Sequence, residues 1–154
     1  MDECKIICRS DIMIKFYKLK DPHGYMGNFW KARHFVYGRW WNTTEASYQA
    51  QKTNVESEVL AIQQAVKPME ARNLGQKVTM RADWDLIKDI VMYDCVMAKF
   101  LQHKDLRDQL LATGDEELVE NSPIDPWWGC GKDGTGKNML GNILMRIRIE
   151  LQGE

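Results

Sequence analysis

The sequence of 154 residues contains no hydrophobic run long enough to cross a membrane. No window comes near the roughly 18 consecutive apolar residues that a membrane-spanning helix requires. The N-terminus begins with Asp2, Glu3 and Lys5, where a secretory signal would carry an apolar segment. We therefore predict a soluble, cytoplasmic protein that does not associate with membranes.

An excess of charge of either sign is also missing. The 21 lysines and arginines nearly balance the 22 aspartates and glutamates, which leaves a formal net charge of -1. A protein that binds a long stretch of nucleic acid through its phosphates needs a broad basic surface. The composition therefore favours a small-molecule ligand, with any phosphate recognised by a few local groups.

Metal-binding and disulfide patterns are absent from the sequence as well. No two cysteines have the Cys-x-x-Cys spacing, and no two histidines have the i, i+4 spacing that places two ligands on one helical face. A zinc site or a disulfide framework would need such clusters. We predict reduced thiols, no metal ion and no cofactor. The residues concerned are Cys4, Cys8, Cys95, Cys130, His23, His34 and His103.

Tryptophan, by contrast, is abundant. The chain has six tryptophans, and four of them form the adjacent pairs Trp40-Trp41 and Trp127-Trp128. A hydrophobic core does not require paired tryptophans, so we expect some of these large rings to contact a ligand.

The apolar pattern near the N-terminus predicts a small β-sheet. Apolar residues alternate with others over residues 12–16, as in a strand with one buried face. Residues 35–37 and 40–42 predict a further pair of short strands, with a turn at Gly38-Arg39. The sheet is therefore expected to precede the helical part of the chain.

The remainder of the sequence predicts helices, from capping residues and from apolar residues at helical spacing. The longest predicted helix has an apolar stripe that we expect to be buried, formed by Ile87, Ile90, Val91, Cys95, Ala98 and Leu101. We predict an α+β fold, helix-dominated with a small N-terminal β-sheet, that forms a single domain over residues 1–154. The predicted helices cover about 44–52, 54–66, 68–75, 84–102, 105–112 and 140–151.

Residues 131–137 have the glycine and lysine spacing of a phosphate-binding P-loop. The next residue is Asn138, not the Ser or Thr whose hydroxyl binds Mg²⁺, and the preceding Asp-Pro-Trp-Trp does not fit the buried strand that a P-loop follows. The segment therefore does not predict a nucleotidase. It is either a turn that presents backbone N–H groups to an anion at a helix N-terminus or a flexible surface loop.

Three polar residues share one face of the first predicted helix. Glu45, Gln49 and Lys52 lie at i, i+4 and i+7, so their side chains are expected to be in line. A carboxylate, an amide and an amine in this order would form the polar wall of a cleft. The alternative interpretation is a solvated helix face with an ordinary intrahelical bond.

A second polar group surrounds the start of the longest predicted helix. Trp84 would stack on a planar base while Arg81 meets a phosphate. The alternative is that Asp83 only caps the helix and Trp84 belongs to the core. Two further carboxylates, Glu120 and Asp125, lie beside apolar or tryptophan-containing sequence and are also candidates.

Several short motifs follow one another along almost the whole chain. They are Gly24-x-x-x-Asn28-Phe29, Trp41-x-Thr43-x-Glu45 followed by Gln49-Ala50-x-Lys52, Trp84 with Lys88 and Lys99-Phe100, Leu118-Val119-Glu120, and Asp125-x-x-Trp128-Gly129 followed by Gly136-Lys137-Asn138. This ordered set resembles the NADAR superfamily, whose best-known branch is the YbiA-like riboflavin-intermediate N-glycosidases. Three positions depart from the family pattern: Gly27, Asn42 and Ala46 stand where Ser, Pro and His are usual.

The resemblance implies an N-glycosidase, a hydrolase that cleaves the bond between ribose and an exocyclic amine of a base. Two substrate classes share this bond: phosphorylated ribosylaminopyrimidines of riboflavin synthesis, and guanine bases in DNA that carry ADP-ribose. The implied partner is a small ribose-phosphate or ADP-ribosyl molecule, with ADP-ribosylated DNA as the larger alternative. The sequence makes no prediction of oligomeric state.

The resemblance also implies roles for the catalytic candidates. Lys52 would capture C1 of the ribose as a Schiff base, and Glu45 together with Asp125 or Glu120 would transfer protons. A competing mechanism keeps the ribose ring closed and uses one carboxyl group to activate water. In that mechanism Lys52 only binds phosphate or ribose.

Substrate binding is assigned in the same way. Trp84 and Trp128 are expected to flank the base, and Arg81 and the 129–138 loop are expected to face the phosphate. The side-chain amides of Asn28 and Gln49 are expected to orient the ribose hydroxyls. The alternative function is a non-catalytic module that binds NAD or ADP-ribose through the same surfaces. The expected binding residues are Asn28, Phe29, Gln49, Arg81, Trp84, Trp128, Gly129 and Asn138.

Overall fold

The computed structural model describes residues 13–153, so Cys4, Cys8 and Ile12 lie outside the described residues. Helix predominates, which confirms the predicted α+β class, and no helix within residues 13–153 is long and apolar enough to cross a membrane. The strands are β1 (Met13–Phe16), β2 (Lys31–Val36), β3 (Arg39–Thr43) and β4 (Glu117–Glu120). The helices are α1 (Thr44–Ala50), α2 (Glu56–Gln63), α3 (Pro68–Gly75), α4 (Trp84–Gln102), α5 (Lys104–Ala112) and α6 (Met139–Leu151).

The N-terminal strand pairs with a strand about a hundred residues away in the chain. β1 and β4 are parallel, with Met13 opposite Glu117 and Phe16 opposite Glu120. β4 is not predicted from the sequence, because four residues are too few to show a clear alternation. Since parallel strands end at the same edge of a sheet, the segments that follow β1 and β4 leave the sheet side by side.

β2 and β3 form an antiparallel hairpin whose turn lies one residue earlier than predicted. The turn residues Tyr37 and Gly38 have φ values of 53° and 77°, and two positive values are what a type I′ turn requires. Trp41 on β3 is buried, and its Nε1–H donates to a carbonyl of β2 at 3.1 Å. β3 leads directly into α1, where the Thr43 hydroxyl accepts a hydrogen bond from the Ala46 N–H at 3.2 Å and caps the helix.

Helices α1 and α2 are shorter than predicted. α1 ends two residues before Lys52, and α2 ends three residues before Val66. Thr53 stabilises the extended link between them, because its hydroxyl accepts from the Val55 N–H at 3.0 Å and donates to Glu58 at 2.8 Å. Lys52 is therefore placed by a turn rather than by the helix itself.

Helix α4 lies at the centre of the core and packs against β2, α1, α5 and α6. Of the predicted stripe, Val91, Cys95 and Ala98 are buried, but the prediction is wrong for Ile90 and Leu101, which are 63% and 43% exposed. The neighbouring elements cover a face that is rotated away from these two residues. The side chains at the middle of the buried face are Met92, Val96 and Phe100.

Lys99, also on α4, is completely buried. Its ammonium group donates to the carbonyl of Tyr25 at 2.8 Å and to that of Gly27 at 3.2 Å. Among the ion pairs of residues 13–153, none includes this lysine. Burial lowers the pKa of Lys99 from 10.5 to about 7. The side chain holds the turn over residues 24–27, which leads to Asn28.

A second buried polar contact joins β2 to α1. The Nδ1 atom of His34 lies 2.8 Å from the Ala32 carbonyl, and its Nε2 atom lies 2.9 Å from the Ser47 hydroxyl. Because a carbonyl can only accept, Nδ1 carries the proton and Nε2 accepts from the hydroxyl. Burial lowers the pKa of His34, which favours the neutral ring.

The buried Lys99 predicts a pH dependence of stability. The unfolded chain keeps the proton of this lysine up to about pH 10.5, whereas the folded chain releases it near pH 7, so stability rises with pH between these values. From about pH 7.5 to about pH 9.5, we expect the unfolding free energy of the wild type to rise by about 1.4 kcal/mol per pH unit more than that of Lys99→Met. Urea titrations at each pH measure this difference.

Lys104→Met is the matched control for this experiment. Lys104 is exposed and bonds to Asp108 at 2.6 Å on the surface, so its removal should leave the wild-type pH profile unchanged. Equal slopes for the wild type and Lys99→Met would show that the buried lysine stays protonated in the folded chain at neutral pH.

Candidate active site

A cavity of about 760 Å³ lies where the segments that follow β1 and β4 meet α1 and α3. This volume is within the range of about 300–1,000 Å³ that is usual for small-molecule sites. Eight predicted site residues line it: Asn28, Phe29, Glu45, Gln49, Lys52, Glu120, Asp125 and Trp128. Four do not line it: Arg81, Trp84, Gly129 and Asn138.

Glu45 lies in the first turn of α1 and is 8% exposed. Its Oε1 accepts a hydrogen bond from Nε2 of Gln49 at 2.9 Å, and its backbone N–H donates to the Asn28 carbonyl at 3.0 Å. Burial raises the pKa of this carboxyl group, while the hydrogen bond and the charges of Arg72 and Lys52 act in the opposite direction. The predicted polar wall is therefore a cavity wall and not a solvated helix face.

Lys52 lies two residues beyond the end of α1 and still lines the cavity. Its backbone N–H donates to the Gln49 carbonyl at 3.2 Å, and its own carbonyl accepts from the Arg81 N–H at 2.8 Å. The Nζ atom lies 5.7 Å from the ring centroid of Tyr48. Burial lowers the pKa of Lys52, whereas the nearby charge of Glu45 raises it. Partial loss of hydration thus favours the neutral, nucleophilic amine.

Glu120 ends β4 and turns its carboxyl group toward the segment that follows. Its Oε2 accepts from the Ser122 N–H at 3.3 Å and lies in the space that a Cβ atom at Gly129 would occupy. Gly129 therefore acts through its lack of a side chain rather than as a ligand. Burial raises the pKa of Glu120 to about 7, and the charge of Asp125 contributes to the increase.

Asp125 organises the turn that carries the second tryptophan pair. Its Oδ1 accepts from the N–H groups of Trp127 and Trp128, each at 2.9 Å. The charge of Asp125 raises the pKa of Glu45 and of Glu120. The charge of Asp125 therefore acts on both glutamates of the cavity.

The aromatic part of the cavity contains only one of the two tryptophans that were expected there. Trp128 lines it, with its ring 5.5 Å from that of Tyr48 at an angle of 84°. Trp84 is 4% exposed and packs behind Tyr48, at 5.2 Å between ring centroids. Trp84 therefore supports the cavity wall from behind and does not line the cavity. This position agrees with the alternative interpretation, in which Trp84 is a core residue.

Arg81 is occupied outside the cavity. Its Nε and Nη2 atoms donate to the two carboxylate oxygens of Asp83 at 2.6 Å and 3.0 Å. Asp83 stands before α4 as predicted, but its side chain makes no capping hydrogen bond, because both of its oxygens bind the guanidinium. Arg81 therefore does not present its guanidinium to the cavity.

In the glycine-rich loop before α6, the backbone N–H groups at the helix N-terminus are already hydrogen-bonded. The N–H groups of residues 136–140 donate to carbonyls of residues 126–130, at 2.7 to 3.1 Å. The side chain of Asn138 accepts from the Glu120 N–H and donates to the Leu118 carbonyl, both at 2.9 Å. The loop therefore supports Glu120, and the N–H groups that the predicted phosphate site at this helix N-terminus would use have acceptors within the loop.

Two side-chain amide oxygens are buried and have no hydrogen-bond partner among residues 13–153. They are Oδ1 of Asn28 and Oε1 of Gln49, and both residues line the cavity. The amide nitrogen of Asn28 contacts the sulfur of Met92 at 3.4 Å, and the Gln49 oxygen packs against Gly75. A buried acceptor that lacks a donor is a natural place for a ligand donor, most directly at Asn28.

Several cavity residues could not be found by sequence reasoning. Tyr48 is the exception, since it lies three residues after Glu45 and on the same helical face. Arg72 reaches the cavity only because α3 packs against α1, which no local pattern indicates. The polar residues missed also include Lys18, Lys20, Gln76 and Ser122.

The cavity carboxyl groups are not arranged as a metal centre. Within residues 13–153, no three His, Cys, Asp or Glu side chains are grouped so as to hold a metal ion. The described cysteines are free thiols: Cys95 is buried and Cys130 is partly buried.

Comparison with known proteins places this geometry in a family. Residues 15–152 match the NADAR domain. The N-glycosidase Npun_R5314 of Nostoc punctiforme is 44% identical over 144 residues, which is 90% of this chain and 92% of that protein. The N-glycosidase YbiA of Escherichia coli is 39% identical over 146 residues, 92% of this chain and 90% of that protein. The riboflavin biosynthesis protein VVA0006 of Vibrio vulnificus is 43% identical over 150 residues, 94% of this chain and 41% of that protein.

The fold agrees with that of a solved relative. The NMR structure of YbiA from E. coli matches with a TM-score of 0.84 at 39% identity, over 92% of this chain and 86% of that chain. The names of the relatives agree with the predicted enzyme class, a hydrolase that acts on N-glycosyl bonds. The chain therefore belongs to the NADAR family.

Proposed function

We propose that this protein is an N-glycosidase that hydrolyses the bond between C1 of a ribose phosphate and an exocyclic amine of a base. The observation that carries the proposal is a pair of groups in one cavity: the Lys52 amine, whose pKa burial lowers, and the buried carboxyl group of Glu45. The N-glycosidase names of the relatives support this activity. The name of the Vibrio relative favours a ribosylaminopyrimidine phosphate of riboflavin synthesis over ADP-ribosylated guanine.

The cavity wall suits a planar base joined to a sugar. In the proposed complex the base contacts Trp128 and Phe29, which provide apolar ring surface. The unpartnered oxygen of Asn28 accepts a hydrogen bond from the substrate. Gln49, held by Glu45, lies beside the ribose.

The proposed reaction begins with opening of the ribose ring. The lone pair of the exocyclic amine forms a C=N bond to C1 while the bond from C1 to the ring oxygen breaks, and that oxygen takes a proton. The neutral amine of Lys52 adds to C1, and the resulting aminal expels the base amine after a proton moves to it. Water then adds to C1 of the lysine imine, a proton moves to Nζ, and the C1–Nζ bond breaks, which releases the sugar as an aldehyde and regenerates the Lys52 amine.

Two carboxyl groups fit these proton transfers. Glu120, with its pKa raised to about 7, donates a proton to the ring oxygen or to the leaving amine. Glu45 accepts the proton that Lys52 loses after it adds to C1. Asp125 keeps the turn that carries Trp128 in place and adds negative charge beside both glutamates.

The alternatives use these groups less completely. In the closed-ring mechanism a carboxyl group activates water and Lys52 only binds an anion, a task for which a lowered pKa is a disadvantage. A non-catalytic NAD or ADP-ribose module has no need of buried carboxyl groups, which are unfavourable for folding. We therefore favour the Schiff-base mechanism.

Substitution of Lys52 and Glu45 tests the proposed chemistry. Lys52→Met keeps the apolar stem and removes the amine, so we expect kcat to fall by about a thousandfold, and Glu45→Gln should lower it by about a hundredfold. Release of base from ribosylaminouracil phosphate measures the rate. Lys77→Met, which removes an exposed lysine outside the cavity, should retain wild-type turnover. Unchanged turnover in Lys52→Met and Glu45→Gln would contradict the assignment.

Borohydride reduction during turnover distinguishes the two mechanisms. The Schiff-base route predicts a ribose-phosphate adduct on Lys52, detected by peptide mass spectrometry, and no adduct in Lys52→Met. An active enzyme without an adduct at this lysine would support direct attack by water. Parallel assays with ADP-ribosylated guanine in DNA and with NAD identify the substrate class.

The raised pKa of Glu120 predicts the alkaline side of the pH profile. As the pH rises through about 7, Glu120 loses the proton that it donates, so kcat/KM should decrease. In Glu120→Gln the rate should be lower throughout and this decrease should be absent. Initial rates from about pH 5.5 to about pH 9 measure the profile. The same midpoint in Glu120→Gln would assign the decrease to another group.

Because Trp128 lines the cavity and Trp84 lies behind its wall, we expect substitution of Trp128 to change KM and substitution of Trp84 to change stability. Trp128→Ala removes a ring that contacts the base, and we expect KM to rise by about tenfold or more. Trp84→Phe acts behind the wall and should lower the unfolding free energy by about 1–3 kcal/mol, while KM changes less than about twofold. Steady-state kinetics and urea unfolding of both variants provide the measurements. The reverse pattern would place Trp84, not Trp128, against the base.

A further inference from the structure

The proposed substrate carries a phosphate, but Arg81 and residues 129–138, which were expected to bind it, do not line the cavity. Arg81 is paired with Asp83 outside the cavity. The amides of residues 136–140 donate to carbonyls of their own loop. Recognition of a phosphate therefore requires a cation that lines the cavity and has no carboxylate partner.

Arg72, on α3, meets both conditions. It lines the cavity and is partly buried, so its charge is only partly hydrated. Among the ion pairs found within residues 13–153, none includes this guanidinium. A partly buried arginine in a ligand cavity without an ion-pair partner is a strong candidate to bind an anionic group.

Arg72 is also at a suitable distance from the reacting groups. Its charge lowers the pKa of Glu45, Lys52 and Glu120, so the guanidinium lies near all three. In the proposed mechanism C1 of the ribose meets Lys52. A phosphate on the ribose 5-oxygen is only a few bonds from C1, so a cation that lines the same cavity as Lys52 is a suitable partner for it.

We propose that Arg72 binds the 5-phosphate of the ribose and selects phosphorylated over unphosphorylated substrates, an inference that rests on the proposed function. A guanidinium binds phosphate through two parallel N–H···O bonds. Lys18 and Lys20 line the cavity after β1 and add positive charge. This charge suits a phosphate monoester, which carries a charge of about −1.5 to −2 at neutral pH. Asp21 holds this segment, because its Oδ2 accepts from the Lys18 N–H at 2.7 Å.

The competing role for Arg72 is electrostatic positioning of the carboxyl groups. In that case its loss would affect Glu45 and Glu120 whatever the substrate carries. Turnover of phosphorylated and unphosphorylated substrates would then fall by the same factor. A phosphate ligand predicts instead a larger loss for the phosphorylated substrate than for the unphosphorylated one.

Binding in the absence of turnover provides the first test. The Lys52→Met variant is titrated with ribose 5-phosphate and with ribose in a calorimeter. Because this variant lacks the amine, no imine can form at position 52 during the titration. We expect ribose 5-phosphate to bind at least about tenfold more tightly than ribose, and Arg72→Gln in the same background to abolish the difference. Arg72→Lys should restore part of it, and Arg81→Gln should leave it intact. A difference that persists in Arg72→Gln would overturn the proposal.

Turnover by the enzyme with Lys52 intact provides the second test. Arg72→Gln should lower kcat/KM for the phosphorylated substrate by at least about tenfold more than that for the dephosphorylated substrate. An equal loss for both would assign Arg72 to positioning. ADP-ribose serves as a further probe: tighter, Arg72-dependent binding of this diester than of ribose 5-phosphate would overturn the monoester assignment.

The two proposals fail in different ways. Retained activity in Lys52→Met would overturn the catalytic role of Lys52, yet the comparison of ribose 5-phosphate with ribose would still test Arg72. Conversely, a phosphate preference that is independent of Arg72 would leave the Schiff-base mechanism unaffected.

Discussion

The candidate site depends on the burial of the Glu45 carboxyl group, which lies on a helix that is buried along its whole length. All seven residues of α1 are buried, and an uncompensated charge in such surroundings costs several kcal/mol. Glu45 is stabilised by the amide of Gln49, by its place in the first helical turn and by two cations, Lys52 and Arg72. Burial raises the pKa of Glu45, which favours its role in proton transfer. The burial that is unfavourable for folding is therefore also what makes the proposed chemistry possible.

Two lysines illustrate how surroundings determine the use of one side chain. Lys99 is completely enclosed and donates to the carbonyls of Tyr25 and Gly27, so its nitrogen supports the turn that leads to Asn28. Lys52 is only partly enclosed and faces the cavity. Burial lowers the pKa of both amines, but only Lys52 lies where a substrate can reach it. A lowered lysine pKa is therefore informative about catalysis only together with access.

Local patterns predicted the fold class, most helices and the shared cavity wall of Glu45, Gln49 and Lys52. They could not separate Trp84 from Trp128, because an aromatic residue beside charged ones has the same local pattern in a core and in a site. Nor could they predict β4, Arg72 or the occupied amides of the glycine-rich loop. β4 and Arg72 depend on contacts between segments that are distant in the chain, and the loop amides depend on the three-dimensional path of residues 126–140, neither of which sequence spacing encodes.

The pairing of β1 with β4 also constrains the order in which the molecule assembles. The two strands are separated by about a hundred residues, so their contact closes a long loop and carries a large entropic cost. The walls contributed by the segments after these strands can meet only when this contact has formed. During synthesis on the ribosome, the helices in between can fold as they emerge, whereas the cavity is completed only after β4 and the segment that follows it have left the exit tunnel.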